Sequence, residues 1–375
     1  MPVPSLTFPS PPLVAQGQDR RRKCGSPHTL FYAFGLPVVP PRILKLPIKQ
    51  GETQQGVLVK RNIIAVAMGI AFVGVLALAS EWAVRTFMPY VNLQGTDRRL
   101  FIDNVYGDSR AWAPSSTGVC FGKRIHIDSI GFREMTHPDH TKVSWLLLGD
   151  SVIFGVGVDT DSTFAALLQK AHPEVYVWNT GTIGYAIKDY ARIVPHLLRK
   201  DPIIKRVLLF WCLNDIYVSR EGQVKSPSKL PLLGFLRYHS KAYIVLKNLL
   251  SDRSKVYFRH DLLIYGKTKP EFLRTVEELA KIKSDLDAKG IRLTIILLPY
   301  EYQLRPGNDD RLLPQRLLTQ ACDSLNIAVI DPWRNLSSAT GKSKALYLFA
   351  DGIHFSPFGH RVLFNVLQSA IAAWQ

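Results

Sequence analysis

The sequence predicts a three-layer α/β/α protein in which a doubly wound, mainly parallel sheet of five strands follows one N-terminal transmembrane helix. Two observations lead to this prediction. A single uncharged apolar run lies in the first quarter of the 375-residue chain, and five short apolar runs follow it. Segments of helical periodicity separate these five runs, and turn residues follow most of them.

The five short runs are rich in Val, Leu and Ile, which is typical of buried parallel strands. They lie at 143–148, 175–178, 207–212, 293–298 and 327–330. Helical spacing occupies the segments 162–171, 186–199, 270–289, 309–325 and 357–374. Strands that alternate with helices predict a parallel sheet with helices on both faces.

The uncharged run predicts a membrane anchor at 62–80, because 63–79 contains only small and apolar side chains. At about 1.5 Å per residue such a helix covers roughly 28 Å, close to the ~30 Å hydrocarbon core. A buried core helix is the alternative, but the run has no polar face. Residues 1–61 contain nine Lys and Arg against two acidic residues. The positive-inside rule therefore predicts a single-pass inner-membrane protein whose larger part is extracytoplasmic.

Residues 1–61 are expected to be a disordered, basic leader. Ten of the 24 prolines lie in 1–50, beside a basic cluster at 20–23. The sequence VLVKRN at 57–62 is typical of an anchor start, so a later start of translation is one alternative. A cleaved signal peptide is another, since Ala77-Leu78-Ala79 has the small-x-small form, but its leader would be unusually long.

The formal net charge of +17 fits an anionic envelope surface as the neighbour of this protein. No zinc-finger spacing, RNP-like strand or basic heptad region is present, so we expect no nucleic-acid partner. We expect no metal or cofactor. No phosphate-binding glycine motif follows a strand, which argues against a phosphate-binding α/β protein. The four cysteines are Cys24, Cys120, Cys212 and Cys322. The last three follow the anchor, and this odd number leaves at least one of them unpaired.

Residues 81–142 are predicted to connect the anchor to the main domain, 143–375. Within this domain, 219–268 interrupts the alternation with an apolar, basic, helix-like piece at 232–250. It is either a surface helical hairpin or an insertion over the site. Its cations Arg237, Lys241 and Lys247 would accordingly face solvent or an anionic substrate.

Three strand ends carry residues suited to acyl transfer, and such ends meet at one edge of a parallel sheet. Gly149-Asp150-Ser151 follows the first strand, although Asp and Ser at this position also commonly cap a helix. The stretch from Asn179 to Gly184 follows the second strand, and Asn214-Asp215 follows the third. A closely approaching glycine and a side-chain amide are the groups that an oxyanion hole needs.

Asp351 and His354 stand in a loop before the last predicted helix. The structural alternatives are a turn aspartate and a loop histidine. A serine nucleophile needs a base near its hydroxyl and a carboxylate that orients the imidazole. A loop that carries Asp and His three residues apart supplies both groups, with His360 as the rival base inside the helix.

These four blocks, in this order, resemble the SGNH/GDSL hydrolase family over residues ~143–375, and Ile130-Gly131-Phe132-Arg133 resembles the lead-in of bacterial envelope members. The resemblance implies a flavodoxin-like fold with Ser151 as nucleophile and His354 and Asp351 as its partners. It also implies an oxyanion hole made by Ser151, Gly184 and Asn214. Asp150, Asn179 and Asp215 would support the site. Two departures are Val152, where the family name has Leu, and Cys212, where many members have Gly.

The implied function is hydrolysis of small acyl esters, most plainly acetyl, on envelope carbohydrate or lipid. The same residues would serve a polysaccharide O-acetyltransferase if a sugar hydroxyl took the place of water. A catalytically silent envelope scaffold is the alternative from another class, although the intact residue set argues against it. No pattern indicates the oligomeric state.

Overall fold

A computed structural model describes most of the chain after the leader. The described residues are 54–135, 141–200, 203–218, 231–307, 309–339 and 341–372. The chain divides into two units, Met1–Ala65 and Val66–Gln375, and the sheet lies in the second. The predicted leader lies outside the described residues up to position 53, whereas 54–61 are helical.

Helix α1, Gln54–Phe87, contains the predicted anchor at 62–80. Its part Leu58–Phe87 is long and apolar enough to cross a membrane, and its most apolar stretch is not buried against any other part of the chain that the structure describes. Large apolar side chains point out on all sides of it, and Leu78, for example, is 73% exposed. A helix that is apolar all round and uncovered by protein has the composition of one surrounded by lipid.

Residues after α1 form two antiparallel hairpins in the segment predicted as a connector. Their strands are β1 (Phe101–Tyr106), β2 (Ser109–Trp112), β3 (Thr117–Cys120) and β4 (Lys123–His126). The second turn has positive φ at both Phe121 (49°) and Gly122 (78°), the conformation that joins tightly paired strands. These strands are too short to produce a readable alternation of polar and apolar residues.

All five predicted strands are confirmed. They form one parallel sheet in the order β6-β5-β7-β8-β9. The strands are β5 (Ser144–Leu148), β6 (Tyr176–Asn179), β7 (Ile204–Trp211), β8 (Arg292–Leu297) and β9 (Ala328–Ile330). This is the flavodoxin-like order, in which the direction of winding reverses between the first and third strands of the sheet. The ends of β5 and β7 therefore flank the crevice where such folds bind ligands.

Helices connect these strands and flank the sheet. They are α2 (Ser151–Phe154), α3 (Phe164–Ala171), α4 (Ile187–Lys200), α5 (Pro231–His239), α6 (Lys241–Leu250), α7 (Arg253–Leu262), α8 (Pro270–Asp287), α9 (Glu301–Leu304), α10 (Leu313–Ser324), α11 (Trp333–Ser338) and α12 (Pro357–Ala372). Helix α3 contacts α12, and α4 contacts α8. These contacts, with the buried strands between the helices, form the α/β architecture that the alternation predicts.

The insertion is helical, with a break where the sequence predicts one continuous piece. Helices α5 and α6 are separated at Ser240, whose hydroxyl accepts a hydrogen bond from the Tyr243 N–H at 3.0 Å and caps α6. Residues 219–230 of the predicted insertion lie outside the described residues.

Candidate active site

The serine loop, residues 149–158, begins directly after β5. Asp150 caps the short helix α2, since its Oδ1 accepts a hydrogen bond from the Val152 N–H at 2.8 Å. A Cβ on Gly149 would lie 2.2 Å from the Ile153 side chain, so that glycine allows the tight turn. Ser151 stands at the first position of α2, at the crevice edge of the sheet.

Arg133 fixes this loop by hydrogen bonds to its backbone. Its guanidinium donates hydrogen bonds to the carbonyl oxygens of Phe154 and Gly155, both at 2.6 Å, and of Val158 at 2.7 Å. The side chain is buried, and burial lowers its pKa to about 10. The upstream Arg133 motif noted in the sequence thus contacts the serine loop itself.

Ser151, His354 and Asp351 lie in one line of hydrogen bonds. Ser151 Oγ is 2.8 Å from His354 Nε2, and His354 Nδ1 is 2.8 Å from Asp351 Oδ1. The N–H groups of Ile353 and His354 also donate to Asp351 Oδ1, at 3.0 and 2.8 Å. The loop before α12 therefore orients the carboxylate and the imidazole together.

Arg253 binds the second oxygen of this carboxylate, a contact that the sequence did not reveal. Its Nη1 lies 2.8 Å from Asp351 Oδ2, and both groups are largely buried. Burial alone would raise the pKa of Asp351, but the charges of Arg253 and His354 hold it well below its usual range. Asp351 is thus a fixed anion. Arg253 belongs to the insertion, 98 residues away in sequence.

Gly184 and Asn214 both line the same cavity as Ser151. Gly184 has a φ of 82°, and a side chain there would meet open space, so its backbone faces the cavity. The Asn214 amide is held by Tyr300, whose hydroxyl lies 3.0 Å from Oδ1, and Nδ2 donates to Asp150 Oδ2 at 3.2 Å. One amide proton remains for a ligand.

Asn179 and Asp215 support the loops instead of lining the cavity. Asn179 Nδ2 donates to the Ile153 carbonyl at 2.9 Å, and its Oδ1 accepts from the Gly181 N–H at 3.1 Å. Asp215 is buried and accepts a hydrogen bond from the Cys212 N–H at 2.8 Å. Burial and the nearby Asp150 raise the pKa of Asp215 well above its usual range.

Cys212, which stands where many members of the family have Gly, does not line the cavity. It is 1% exposed, and it is not among the cavity residues. Burial raises the pKa of its thiol well above the usual range. The other cysteines within the described part of the chain, Cys120 and Cys322, are also buried and free.

His360 is packed within the protein. It is 1% exposed, its Nδ1 accepts a hydrogen bond from the Phe164 N–H at 3.3 Å, and its ring stacks on Phe164. Burial, with the positive charge of Arg133, lowers the pKa of His360 to about 3. This histidine is therefore neutral at physiological pH and occupied as an acceptor.

The cavity at Ser151 has a volume of about 280 Å³. Several of its residues come from segments that carry no catalytic motif. These are Phe121, Tyr217, Arg237, Arg253, Tyr257, Asp261 and Tyr300. Phe121 meets His354 edge to face at 5.4 Å, and the Tyr217 hydroxyl donates to Asp261 at 2.7 Å. The Tyr300 hydroxyl lies 2.8 Å from Asp261 Oδ2, so Asp261 and Asn214 share its one proton. No local pattern marks them, because they reach the cavity only through tertiary packing.

Several solved structures are similar to this chain, and some of them are described as esterases. Crystal structures include a protein called TesA (17% identity, 60% of this chain and 96% of that chain, TM-score 0.38). They also include the psychrotrophic esterase EstA from a Pseudoalteromonas species (14%, 62% and 98%, TM-score 0.39). A third is the acetyl xylan esterase AlAXEase (15%, 61% and 100%, TM-score 0.39). Comparison with curated proteins finds no match.

A family model describes the main domain itself. The model for the GDSL-like lipase/acylhydrolase family matches residues 147–362. This range is more than half of the chain, and it runs from the end of β5 into α12, so that it contains Ser151, Gly184, Asn214, Asp351 and His354. The chain belongs to the GDSL-like lipase/acylhydrolase family and is a hydrolase.

Proposed function

We propose that this protein is a serine ester hydrolase in which Ser151 is the nucleophile, His354 the general base and Asp351 its partner. One observation supports this most directly. The hydrogen bonds from Ser151 Oγ to His354 Nε2 and from His354 Nδ1 to Asp351 Oδ1, each 2.8 Å, lie at a cavity large enough for a small acyl group. This is the arrangement that serine acyl transfer requires.

In the proposed reaction, His354 Nε2 takes the hydroxyl proton of Ser151 as Oγ attacks the ester carbonyl carbon. The N–H groups of Ser151 and Gly184 and the Asn214 amide would donate to the oxyanion, each contributing roughly 3–4 kcal/mol. His354 then returns the proton to the departing alkoxide, which leaves an acyl-enzyme. Water, deprotonated by His354, attacks the acyl carbon, and the acid departs as Ser151 recovers its proton.

The substrate class we propose is a small acyl ester, acetyl in particular, on envelope carbohydrate or lipid. The cavity volume of about 280 Å³ supports a short acyl group. Of the cations in the predicted insertion, Arg237 lies on the cavity wall, together with the carboxylates of Asp150 and Asp261. We further propose that α1 spans the inner membrane with the hydrolase domain on its extracytoplasmic side, as the basic leader indicates.

Replacement of the nucleophile tests the proposal. Ser151→Ala is expected to lower turnover of p-nitrophenyl acetate by ~10³-fold or more and to abolish labelling by a fluorophosphonate probe. Ser369→Ala, which removes an exposed hydroxyl on α12 whose hydrogen bond goes to the Asn365 carbonyl, is the matched control and should keep both. Retention of labelling in Ser151→Ala would rule out this nucleophile. Product analysis with an added oligosaccharide would reveal acetyl transfer in place of acetate release.

A further inference from the structure

The helices α5 and α6, here called the α5–α6 pair, are hydrogen-bonded to Glu81, the first charged residue after the apolar run of α1. Glu81 accepts a hydrogen bond from the Ser240 hydroxyl at 2.8 Å. Its carboxylate also accepts from the N–H groups of Lys241 and Ala242, at 3.0 and 2.9 Å. Since N–H groups of a first turn lack helical partners, Glu81 caps α6 from outside. The junction of the pair is therefore held beside the end of the apolar run.

Further contacts fix the pair to the chain that leaves α1. Arg85 donates to the His239 carbonyl at 2.9 Å, and the Gln94 N–H donates to the Arg237 carbonyl at 3.1 Å. Gly95 lies so close to the Tyr238 ring that a Cβ there would stand 2.2 Å from a ring carbon. The position of the α5–α6 pair thus follows from the position of α1.

The α5–α6 pair exposes apolar side chains in two stripes at helical spacing. On α5 they are Leu232 and Phe235, 65% and 59% exposed; on α6 they are Leu246, Leu249 and Leu250, 54%, 77% and 78% exposed. The adjoining end of α1 adds exposed Trp82 and Phe87, together with the cations Arg85 and Lys241. Clustered exposed apolar groups mark an interaction surface, and the mixture of Leu, aromatic and basic residues matches a membrane interface.

The same elements also reach the active-site cavity. Arg237 of α5 lines it, as does Arg253 at the start of α7. The chain after α1 contacts the loops around it, because the Tyr90 ring lies 5.7 Å from that of Phe349, and Asn92 Nδ2 donates to the Gly157 carbonyl at 2.7 Å. The cavity is therefore built beside the element that adjoins the membrane helix.

We propose that the α5–α6 pair docks in the headgroup region of the bilayer that α1 crosses, and presents the active site to esters held at that surface. This inference rests on the proposed span of α1 and the proposed hydrolase activity. Because the pair is anchored at the end of the apolar run, the bilayer is the surface that its exposed leucines meet first.

Depth-dependent quenching in the full chain tests the docking. A fluorophore on Leu249→Cys, with Cys24→Ser to remove the cysteine outside the described residues, would be placed in nanodiscs of phosphatidylcholine and phosphatidylglycerol containing headgroup-nitroxide lipids. Leu78→Cys in the apolar run is the positive control, with the nitroxide on the acyl chain. Lys289→Cys, exposed in the turn before β8 at the opposite edge of the sheet, is the negative control. Headgroup nitroxides should quench the 249 probe and leave the 289 probe bright.

The outcomes separate docking from the span itself. A 249 probe as bright as the 289 probe, with the 78 probe quenched, would overturn the docking while keeping the span. An unquenched 78 probe would overturn the span and the docking with it. If a second protein copy protects the 249 probe from quenching in lipid-free detergent, the surface serves self-association. This result would also overturn the docking.

Turnover supplies the second readout. Leu249→Asp combined with Leu250→Asp should lower kcat/KM by about tenfold or more for a long-chain acetyl ester dissolved in the nanodiscs, because it removes interfacial apolar area. Turnover of p-nitrophenyl acetate should not change. Leu273→Asp on α8, 48% exposed, is the matched control and should leave both rates intact. Equal effects of the double substitution on both substrates would contradict the inference. If the parent protein shows no Ser151-dependent turnover of either substrate, only the hydrolase proposal is refuted.

Discussion

At the scale of single residues, Asp351 lies between an imidazole and a guanidinium. His354 binds one of its carboxylate oxygens and Arg253 binds the other, both at 2.8 Å. A carboxylate orients and stabilises the imidazolium of its partner histidine. A guanidinium on the opposite oxygen draws part of that charge away, so Arg253 is placed to adjust the basicity of the proposed base.

We predict that Arg253→Gln moves the acid limb of the kcat/KM profile to higher pH, by up to about one unit. Loss of the positive charge leaves more of the Asp351 charge to stabilise the imidazolium that forms when His354 accepts a proton, so turnover should begin to fall at a higher pH. The measurement is the pH profile of p-nitrophenyl acetate turnover from pH 4 to 9. Arg253→Lys keeps the charge and should leave the limb in place. An unmoved limb in the Gln variant would show that Arg253 serves structure alone.

The two histidines of the C-terminal segment are expected to differ sharply in turnover. His354→Ala should lower kcat/KM by ~10³-fold or more, and His360→Gln by less than about tenfold. The reason is that His354 faces Ser151, whereas His360 is buried on Phe164 and accepts its N–H. Asp351→Asn should resemble His354→Ala, because it removes the partner of the imidazolium. Full activity in His354→Ala would place the base elsewhere.

At the scale of elements, the serine loop depends on residues before the sheet. Arg133 binds three of its carbonyl oxygens, and Trp112 of β2 stacks on Phe154 at 4.2 Å and donates to the Gly181 carbonyl at 2.9 Å. The apolar side chains of the hairpins and of the loop form one small core. The hairpins therefore act as a base on which the loop of Ser151 rests.

We predict that Arg133→Met lowers the free energy of unfolding by about 3 kcal/mol or more, because three buried carbonyl oxygens lose their donors. Chemical unfolding of the full chain in detergent measures this change. Arg133→Lys retains the charge but cannot contact all three oxygens in a fork, so it should recover only part of the loss. A change in the free energy of unfolding below about 1 kcal/mol for Arg133→Met would contradict the inference that Arg133 holds the serine loop.

At the scale of the whole molecule, the positive charge of the leader predicts the membrane topology. The leader carries nine basic residues against two acidic ones, ahead of one helix that is apolar enough to cross a membrane. We expect a reporter that is active only outside the cytoplasm to be active when fused after Gln375. A cytoplasm-dependent reporter at the same place should be silent. The reverse pair of results would place the hydrolase domain in the cytoplasm.

The sequence by itself determined the five parallel strands, the helices between them and the apolar helix α1, because such features depend on periodicities that repeat within a few residues. It also selected Ser151, Gly184 and Asn214, since parallel strands bring their carboxyl ends to one edge. Asp351 and His354 were selected by their spacing in a loop and by the resemblance to the family. The structure brings Ser151, Gly184, Asn214 and His354 to one cavity. Asp351 lies behind His354 and is hydrogen-bonded to its Nδ1. Their catalytic roles remain predictions.

Only the tertiary structure decided how that cavity is completed. Arg253 reaches Asp351 from 98 residues away, and Phe121 reaches His354 from a hairpin whose strands have four residues each. The attachment of the α5–α6 pair to Glu81 spans about 160 residues of chain. Contacts at such separations depend on how whole elements pack, and no local spacing of residues encodes them.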